Sequence, residues 1–249
     1  VTSLAAWLQA AHATRCCAAN SRRPACVLLT AGPYEGKTCL LSQLVTGMIR
    51  DEQCALVPIL VRSHELEAKL SQPRSRTLFA HSWNWVDAFL QSEYGAGSDI
   101  YRFLRQAMLA RRALLLIDGL DEGGTARAAI ERHIVDVLAP QGHTMVVTSR
   151  PAGLRVDLFA EHFVRLRLAP LSDSQQLEII QRRVGGKLAV GGVAGSGGVA
   201  GGAASSAGAA AGSAVLERYL RDKVPIDLET GQRVSGNPLM LSVVLSIFQ

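Results

Sequence analysis

Five short apolar runs, separated by helical patterns, restrict the possible folds of this chain more than any other feature. Near-continuous apolar strands that alternate with helices are typical of a mostly parallel sheet covered by helices on both faces. Pro58 lies inside the second run and cannot donate a ladder hydrogen bond, so we expect that strand at a sheet edge. The predicted strands are 25–30, 55–61, 113–117, 144–148 and 163–168, and the predicted helices between them are 38–49, 83–90, 100–110 and 125–138.

The strand pattern ends near residue 171, which predicts two domains. We expect residues 1–171 to form the α/β domain and residues 172–249 to form a smaller helical domain. Ser172 and Gln175 have the spacing of a capping box, which predicts that a helix begins there.

Residues 189–214 consist only of Ala, Gly, Ser and Val, and they include nine of the 23 glycines of the chain. So much glycine opposes a stable helix, and the segment has almost no large side chain to bury. We therefore interpret it as a flexible insertion in the helical domain.

The charge balance and the aromatic content argue against a nucleic-acid partner. The chain has 26 Lys and Arg against 21 Asp and Glu, a formal net charge of +5, and the cations are dispersed along the sequence. Aromatic residues make up 5 % of the chain, so platforms for stacking bases are not expected.

The cysteines and the longest apolar stretch bear on location. Five cysteines form no CxxC pair, so neither a zinc site nor a disulfide framework is expected, and a reducing compartment is favoured. Residues 238–248 are apolar but too few to span a bilayer, so we expect no membrane partner. These features predict a cytoplasmic protein, and a chain that starts at Val1 is expected to be part of a longer one.

The first predicted strand leads directly into the sequence AGPYEGKT, and a helical pattern follows it. Strand, glycine loop, Lys-Thr and helix are the context of a phosphate-binding P-loop, in which backbone N–H groups converge on phosphate oxygens. Lys37 is expected to reach the β- and γ-phosphates, and the Thr38 hydroxyl to ligate Mg²⁺. The predicted nucleotide-binding residues are Ala31, Gly32, Pro33, Tyr34, Glu35, Gly36, Lys37, Thr38 and Cys39.

Three positions of this loop depart from the usual pattern. Ala31 stands at the leading position in place of glycine, and Tyr34 and Glu35 replace small residues. Glu35 adds a negative charge near the expected phosphates, so it either lowers nucleotide affinity or points outward.

A second motif, ALLLIDGLDE, covers residues 113–122. A buried strand that ends in an acid is a Walker B pattern, in which Asp118 is expected to hold Mg²⁺ beside Thr38. Asp121 and Glu122 follow within four residues, and one of them is expected to orient or deprotonate the attacking water. The alternative is a strand end followed by a polar turn.

A third motif, TMVVTSRP, predicts a strand that delivers Arg150 to its carboxyl end. Ligands of open α/β folds bind at that edge, and a guanidinium is suited to contact a γ-phosphate. The alternative is a surface arginine ahead of a turn-forming proline.

These three motifs, followed by LAPLS and by GNPLML at residues 236–241, resemble the NACHT domain of the STAND class of P-loop NTPases. The resemblance implies an ASCE-type P-loop NTPase fold followed by a helical domain. It implies Walker A roles for Lys37 and Thr38, a Mg²⁺ role for Asp118, and hydrolysis-linked acids at Asp121 and Glu122. It also implies that Arg150 senses the γ-phosphate and that Pro238 packs near the adenine.

The resemblance further implies a nucleotide-gated signalling switch that is closed with ADP and self-associates with ATP. Hydrolysis would be slow or regulated, and effector and sensor domains would lie outside this chain. Two alternatives stay open: a degenerate P-loop scaffold, suggested by Tyr34 and Glu35, and a constitutive AAA+-type ATPase. The second is less favoured because the chain has no recognisable second arginine-finger motif.

Overall fold

The computed structural model describes residues 2–17, 25–190, 215, 218–220, 222–226 and 233–247. The chain divides into two compact units, Val1–Leu168 and Ala169–Gln249. The predicted domain boundary after residue 171 lies three residues beyond this division. The first unit contains the sheet, and the described part of the second contains helices and an isolated β-bridge between Ile226 and Arg233.

A five-stranded parallel sheet forms the centre of the first unit. Its strand order is β2-β3-β4-β1-β5, and every pair is parallel. Pro58 lies on the edge strand β2, opposite Leu114, as its missing N–H predicts. The strands are β1 (Cys26–Thr30), β2 (Val57–Arg62), β3 (Ala113–Asp118), β4 (Thr144–Ser149) and β5 (Phe163–Arg167).

Helices cover both faces of this sheet. The predicted helix at 83–90 begins two residues late because Asn84 caps it, its side-chain oxygen accepting the Asp87 N–H at 2.8 Å. In the first unit the helices are α1 (Thr2–Cys17), α2 (Lys37–Arg50), α3 (Ser63–Leu70), α4 (Arg76–His81), α5 (Trp85–Tyr94), α6 (Asp99–Leu109) and α7 (Arg127–His133), which continues as a π-helical turn, Ile134–Leu138.

The predicted helices correspond to α2, α5, α6 and α7, whereas α1, α3 and α4 were not predicted. Helices α3 and α4 have eight and six residues, too few to show a clear 3.6-residue period. Short 3₁₀ turns complete the unit at Pro73–Ser75, Leu120–Glu122, Gly124–Ala126 and Val156–Phe159.

Strand β3 shows how the core is divided between the two faces. Its side chains alternate, so Leu115 and Ile117 pack in one cluster, and Leu114 and Leu116 pack in the other. All four are almost completely buried. A strand buried on both faces has no polar side, which explains the unbroken apolar run in the sequence. Side chains of α5 and α7 complete the first cluster, and side chains of α1 and α2 complete the second.

In the second unit, helix α8 (Asp173–Val190) begins at the predicted capping box. The Ser172 N–H donates to Gln175 Oε1 at 2.9 Å, and the Gln175 N–H donates to Ser172 Oγ at 3.3 Å, so the box is confirmed. Because α8 extends to Val190, the first two residues of the segment predicted as a flexible insertion are helical. The rest of that segment, 191–214, lies outside the described residues.

A short 3₁₀ turn, Val234–Gly236, precedes the last helix, α9 (Pro238–Ile247). Asn237 caps α9 by accepting the Leu239 N–H at 2.9 Å, and Pro238 takes the first helical position, where its missing N–H has no cost. In the described parts of both units, no helix is long and apolar enough to cross a membrane.

The ring of His133 is held in its neutral form between α7 and α5. Its Nε2 accepts the Trp85 N–H at 2.9 Å, and its ring stacks on the Trp85 indole with centroids 4.3 Å apart. Burial lowers the pKa of His133 from 6.5 to about 4, although nearby Asp136 acts in the opposite direction. Protonation would therefore remove the acceptor of the Trp85 N–H and place a charge in a largely buried position.

We expect His133 to make the free energy of unfolding depend on pH. The unfolded histidine titrates at 6.5 and the folded one at about 4, so its stabilisation is complete above pH 6.5 and is lost as the pH falls. Between about pH 7 and about pH 5 the loss should be about 1–2 kcal/mol, discounted for partial solvent exposure of the ring.

Urea unfolding of the wild type and of His133→Gln at both pH values measures this effect. Glutamine keeps an acceptor for the Trp85 N–H but does not titrate. The wild type should lose more stability than the variant on acidification. Equal losses in the two proteins would contradict the assignment.

Candidate functional site

The carboxyl ends of β1, β3 and β4 lie side by side and carry all three sequence motifs. Residues 31–36, between β1 and α2, form the phosphate-binding loop predicted from the sequence. The loop is tied to β4 because the Ala31 N–H donates to the Ser149 carbonyl at 3.2 Å. Ala31, at the leading position, is completely buried.

The amino end of α2 is open to an anion. Gly36 precedes the helix with φ 92° and ψ 24°, a left-handed conformation that glycine adopts without strain. No side chain within the described part of the chain caps this helix end, and its first turn contains no acid. Its first N–H groups and the helix dipole therefore favour a negative ligand here. Cys39 lies in this turn and is exposed.

Lys37 spans the mouth of the loop. Its ammonium donates to the Ala31 carbonyl at 3.0 Å and to the Gly32 carbonyl at 2.9 Å. Because a lysine ammonium has three protons, these two contacts leave it able to donate to a phosphate as well.

The two unusual residues of the loop have different structural consequences. Tyr34 adopts φ 61°, where a non-glycine residue is strained by about 1–2 kcal/mol, and its side chain is mostly exposed. The carboxylate of Glu35 turns inward instead, and its Oε2 accepts the Gly32 N–H at 2.7 Å. The Gly32 N–H is thus already paired with Glu35 and does not donate to a phosphate in this arrangement. A Cβ on Gly32 would lie 2.7 Å from Glu35 Oε1, so a larger residue at position 32 would displace this carboxylate.

Asp118 ends β3 and connects the loop to the sheet. Its Oδ2 accepts the Thr38 hydroxyl at 2.8 Å, and its Oδ1 accepts the Thr148 hydroxyl at 2.6 Å. Thr148 in turn accepts the Gly119 N–H at 2.9 Å, which fixes the orientation of its hydroxyl. Asp118 is 7 % exposed. The two residues predicted as metal ligands, Thr38 and Asp118, therefore lie in direct contact.

These two oxygen ligands fit Mg²⁺. No group of three or more His, Cys, Asp or Glu side chains in the described ranges could hold a metal ion. Mg²⁺ needs no such cage, because it keeps several waters and binds through one or two protein oxygens plus phosphate oxygens. The hydroxyl of Thr38 and the carboxylate of Asp118 are hard ligands of the required kind.

The acids that follow Asp118 have different partners. Asp121 is held by Arg150, whose Nε lies 3.0 Å from Oδ2 and whose backbone N–H donates to Oδ1 at 2.9 Å. Glu122 lies beside His64, with 3.4 Å between Glu122 Oε2 and His64 Nδ1, and both side chains are half-exposed. The structure therefore brings Arg150 to the acidic motif, as the sheet-edge argument predicts.

One predicted site residue, Pro238, belongs to the second unit, where it is the first residue of α9. Gly236, two residues earlier, accepts the Leu171 N–H at 2.8 Å through its carbonyl, so LAPLS and GNPLML meet within that unit. A role for Pro238 at the adenine stays a prediction.

Sequence reasoning missed four residues that support the site. Thr148 could have been found, because a polar residue near the end of a buried strand and two residues before Arg150 needs a partner. Arg127 and Arg155 form ion pairs with the buried carboxylate of Glu131, and the spacing of these three residues in the sequence gives no sign of it.

Comparison with known proteins identifies the family. A family model of the NACHT domain matches residues 27–186, more than half of the chain. No curated protein matches significantly. One similar solved structure is that of C. elegans PCH-2, with 14 % identity, a TM-score of 0.44 and coverage of 99 % of this chain and 67 % of that one. Another is domain III of the Thermotoga maritima replication initiation protein DnaA, with 17 % identity, a TM-score of 0.45 and coverage of 96 % and 90 %.

The matched range contains the loop, the acidic motif and Arg150. In the parallel sheet, β4 lies between β1, which leads into the loop, and β3, which ends in Asp118. The predicted ASCE-type P-loop NTPase fold is thereby confirmed. The chain belongs to the NACHT family of STAND-class P-loop NTPases.

Proposed function

We propose that this chain is a nucleotide-gated signalling switch that binds ATP and ADP with Mg²⁺ and hydrolyses ATP slowly or under regulation. Its family makes it a nucleotide-binding NTPase module. The 2.8 Å contact between Thr38 and Asp118 is the observation that carries the proposal, since it joins the loop to the acidic strand end. A nucleotide–metal centre needs both elements at one point.

The loop binds the phosphates through its backbone. Residues 31–39 comprise the loop and the first residues of α2. The N–H groups and the dipole at this end of the helix attract the β-phosphate. Lys37 donates to the carbonyls of Ala31 and Gly32 and has a further proton for the β- and γ-phosphates, whose charge makes them stronger acceptors.

Thr38 and Asp118 would hold Mg²⁺, and Thr148 keeps the carboxylate of Asp118 in position. When bound there, Mg²⁺ would supply positive charge that offsets the negative charge of the phosphate oxygens.

Glu122 orients or deprotonates the attacking water. Of the two acids, Asp121 is already engaged twice by Arg150, whereas the side chain of Glu122, within the part of the chain that the structure describes, pairs only with His64, at 3.4 Å. We therefore assign Asp121 to the positioning of Arg150 and Glu122 to the water.

Arg150 distinguishes ATP from ADP. Its guanidinium rests on Asp121 without ligand and is attracted by the additional charge of a γ-phosphate. A ligand shifts a conformational equilibrium only by its difference in affinity for the two states, and this arginine provides such a difference. In the cytoplasm the ATP-bound state would self-associate, and effector and sensor domains outside this chain would use the change.

A degenerate scaffold without turnover is the second candidate. The observation in its favour is the Glu35 carboxylate, which takes the Gly32 N–H and adds negative charge inside the loop. A constitutive AAA+-type ATPase is a weaker third candidate, and steady rapid turnover by a closed ring of the isolated domain would support it.

Thermal unfolding with nucleotides tests the binding site. At about 100 times its Kd, a ligand adds about 2.7 kcal/mol to the stability of the folded state. We expect Mg-ATP and Mg-ADP to raise the Tm of the wild type but not that of Lys37→Ala. Lys223→Ala removes an exposed lysine of the second unit and serves as the matched control.

The control variant should respond to nucleotide as the wild type does. Equal Tm shifts in Lys37→Ala and the wild type would contradict the site. If the folded wild type gave no shift with any nucleotide, the degenerate scaffold would replace the switch.

Two substitutions at Tyr34 separate its backbone from its side chain. Glycine adopts a positive φ without strain, whereas β-branched valine resists it. We expect Tyr34→Val to weaken ADP binding about five- to tenfold, a cost of about 1 kcal/mol in loop conformation. Tyr34→Gly should bind at least as tightly as the wild type.

Calorimetric titration of ADP into the three proteins measures this. If glycine and valine weakened binding equally, the aromatic ring, and not the backbone conformation, would be what the nucleotide requires.

A further inference from the structure

A buried carboxylate behind the site has two arginine partners and no role in the chemistry above. Glu131, on α7, is 1 % exposed. Its Oε1 lies 3.0 Å from Arg127 Nε, and its Oε2 lies 2.7 Å from Arg155 Nε. A buried charge is tolerated only when it is paired, so this carboxylate requires a cationic partner.

The cluster connects α7 to the segment that carries Arg150. We define the sensor loop as residues 150–155, between β4 and the 3₁₀ turn Val156–Phe159. Arg155, at its far end, also donates to the Ala128 carbonyl on α7 at 3.1 Å. Arg127 of α7 donates to the Ala152 carbonyl in the sensor loop at 3.5 Å. Contacts thus run in both directions between helix and loop.

The near end of the sensor loop is attached to the same stretch of chain. There Arg150 binds Asp121 through its side chain and its backbone. Asp121 lies six residues before Arg127, where α7 begins. Both ends of the sensor loop are therefore tied to residues 121–131, which also contain Glu122.

We propose that Glu131 is a positioning residue that fixes, through Arg155, the path of the sensor loop and hence the reach of Arg150 to a γ-phosphate. This inference rests on the proposed function. While Arg155 is paired with Glu131, the sensor loop has few conformations, and these limit where the Arg150 side chain can reach. Without that ion pair the sensor loop has more conformations, and binding of the γ-phosphate must order it.

The ion pair between Glu131 and Arg155 should therefore affect the affinity for ATP more than the affinity for ADP, because only ATP has the γ-phosphate that Arg150 contacts. Loss of the ion pair between Glu131 and Arg155 is expected to reduce the preference for a non-hydrolysable ATP analogue over ADP by about 5- to 150-fold, the usual range for coupling between sites. A merely structural role would weaken the binding of both nucleotides alike.

The test variant is Arg155→Gln. Its side chain is partly exposed, at 41 %, and Glu131 keeps Arg127 as a partner, so the fold is retained. Arg182→Gln is the matched control, because it breaks an exposed ion pair with Glu178 on α8. Glu131→Gln tests the carboxylate itself, and Arg150→Gln gives the preference expected with no sensor arginine.

Titration of both nucleotides into each folded protein gives the ratio of the two Kd values. The proposal predicts a reduced ratio in Arg155→Gln, with the Kd of ADP changed less than twofold, and a wild-type ratio in Arg182→Gln. Circular dichroism and thermal unfolding without nucleotide identify any variant that has not folded. If Glu131→Gln does not fold, Arg155→Gln decides alone.

The outcomes separate this proposal from the one on which it rests. If the wild type binds neither nucleotide, the proposed function fails and this inference fails with it. If the wild type prefers the ATP analogue, Arg150→Gln loses that preference and Arg155→Gln keeps it, only the role of the Glu131 cluster is overturned.

Discussion

The Asp118 carboxylate accepts hydrogen bonds from Thr38 and Thr148, and these two contacts join three parts of the first unit. Asp118 ends β3, Thr148 belongs to β4, and Thr38 lies in the first turn of α2. An almost fully buried carboxylate needs such partners. They also hold the end of β3 next to the loop. The two candidate metal ligands, Thr38 and Asp118, therefore lie together because the Asp118 carboxylate needs hydrogen-bond donors.

The location of the site could be predicted from the sequence because strand polarity determines it. In a parallel sheet the carboxyl ends of all strands lie at one edge, so residues that follow apolar runs must meet there. Asp118 and Arg150 both follow such runs, and the structure places them in neighbouring strand-end segments. The edge position of β2 followed in the same way from Pro58, and the start of α8 from Ser172 and Gln175.

Pairings between side chains could not be predicted, because no local pattern encodes them. The contact of Asp121 with Arg150 spans 29 residues, and that of Glu131 with Arg155 spans 24 residues. Each depends on the path of the sensor loop, which is not periodic. The inward orientation of Glu35 is a local feature, but the residues on both sides of it, Tyr34 and Gly36, have positive φ. The residue type of Tyr34 gives no sign of such a backbone conformation. The short helices α3 and α4 were missed because they are too brief to show a period.

The dependence of ATP affinity on Mg²⁺ tests the central claim most directly. ATP is titrated calorimetrically into the wild type and into Asp118→Asn, with Mg²⁺ and with a chelator. Asparagine keeps an oxygen and the size of the side chain but removes the charge that favours a divalent ion. We predict that Mg²⁺ tightens ATP binding to the wild type and has much less effect on the variant. Equal ATP affinity of the wild type with and without Mg²⁺ would contradict a metal centre at Thr38 and Asp118.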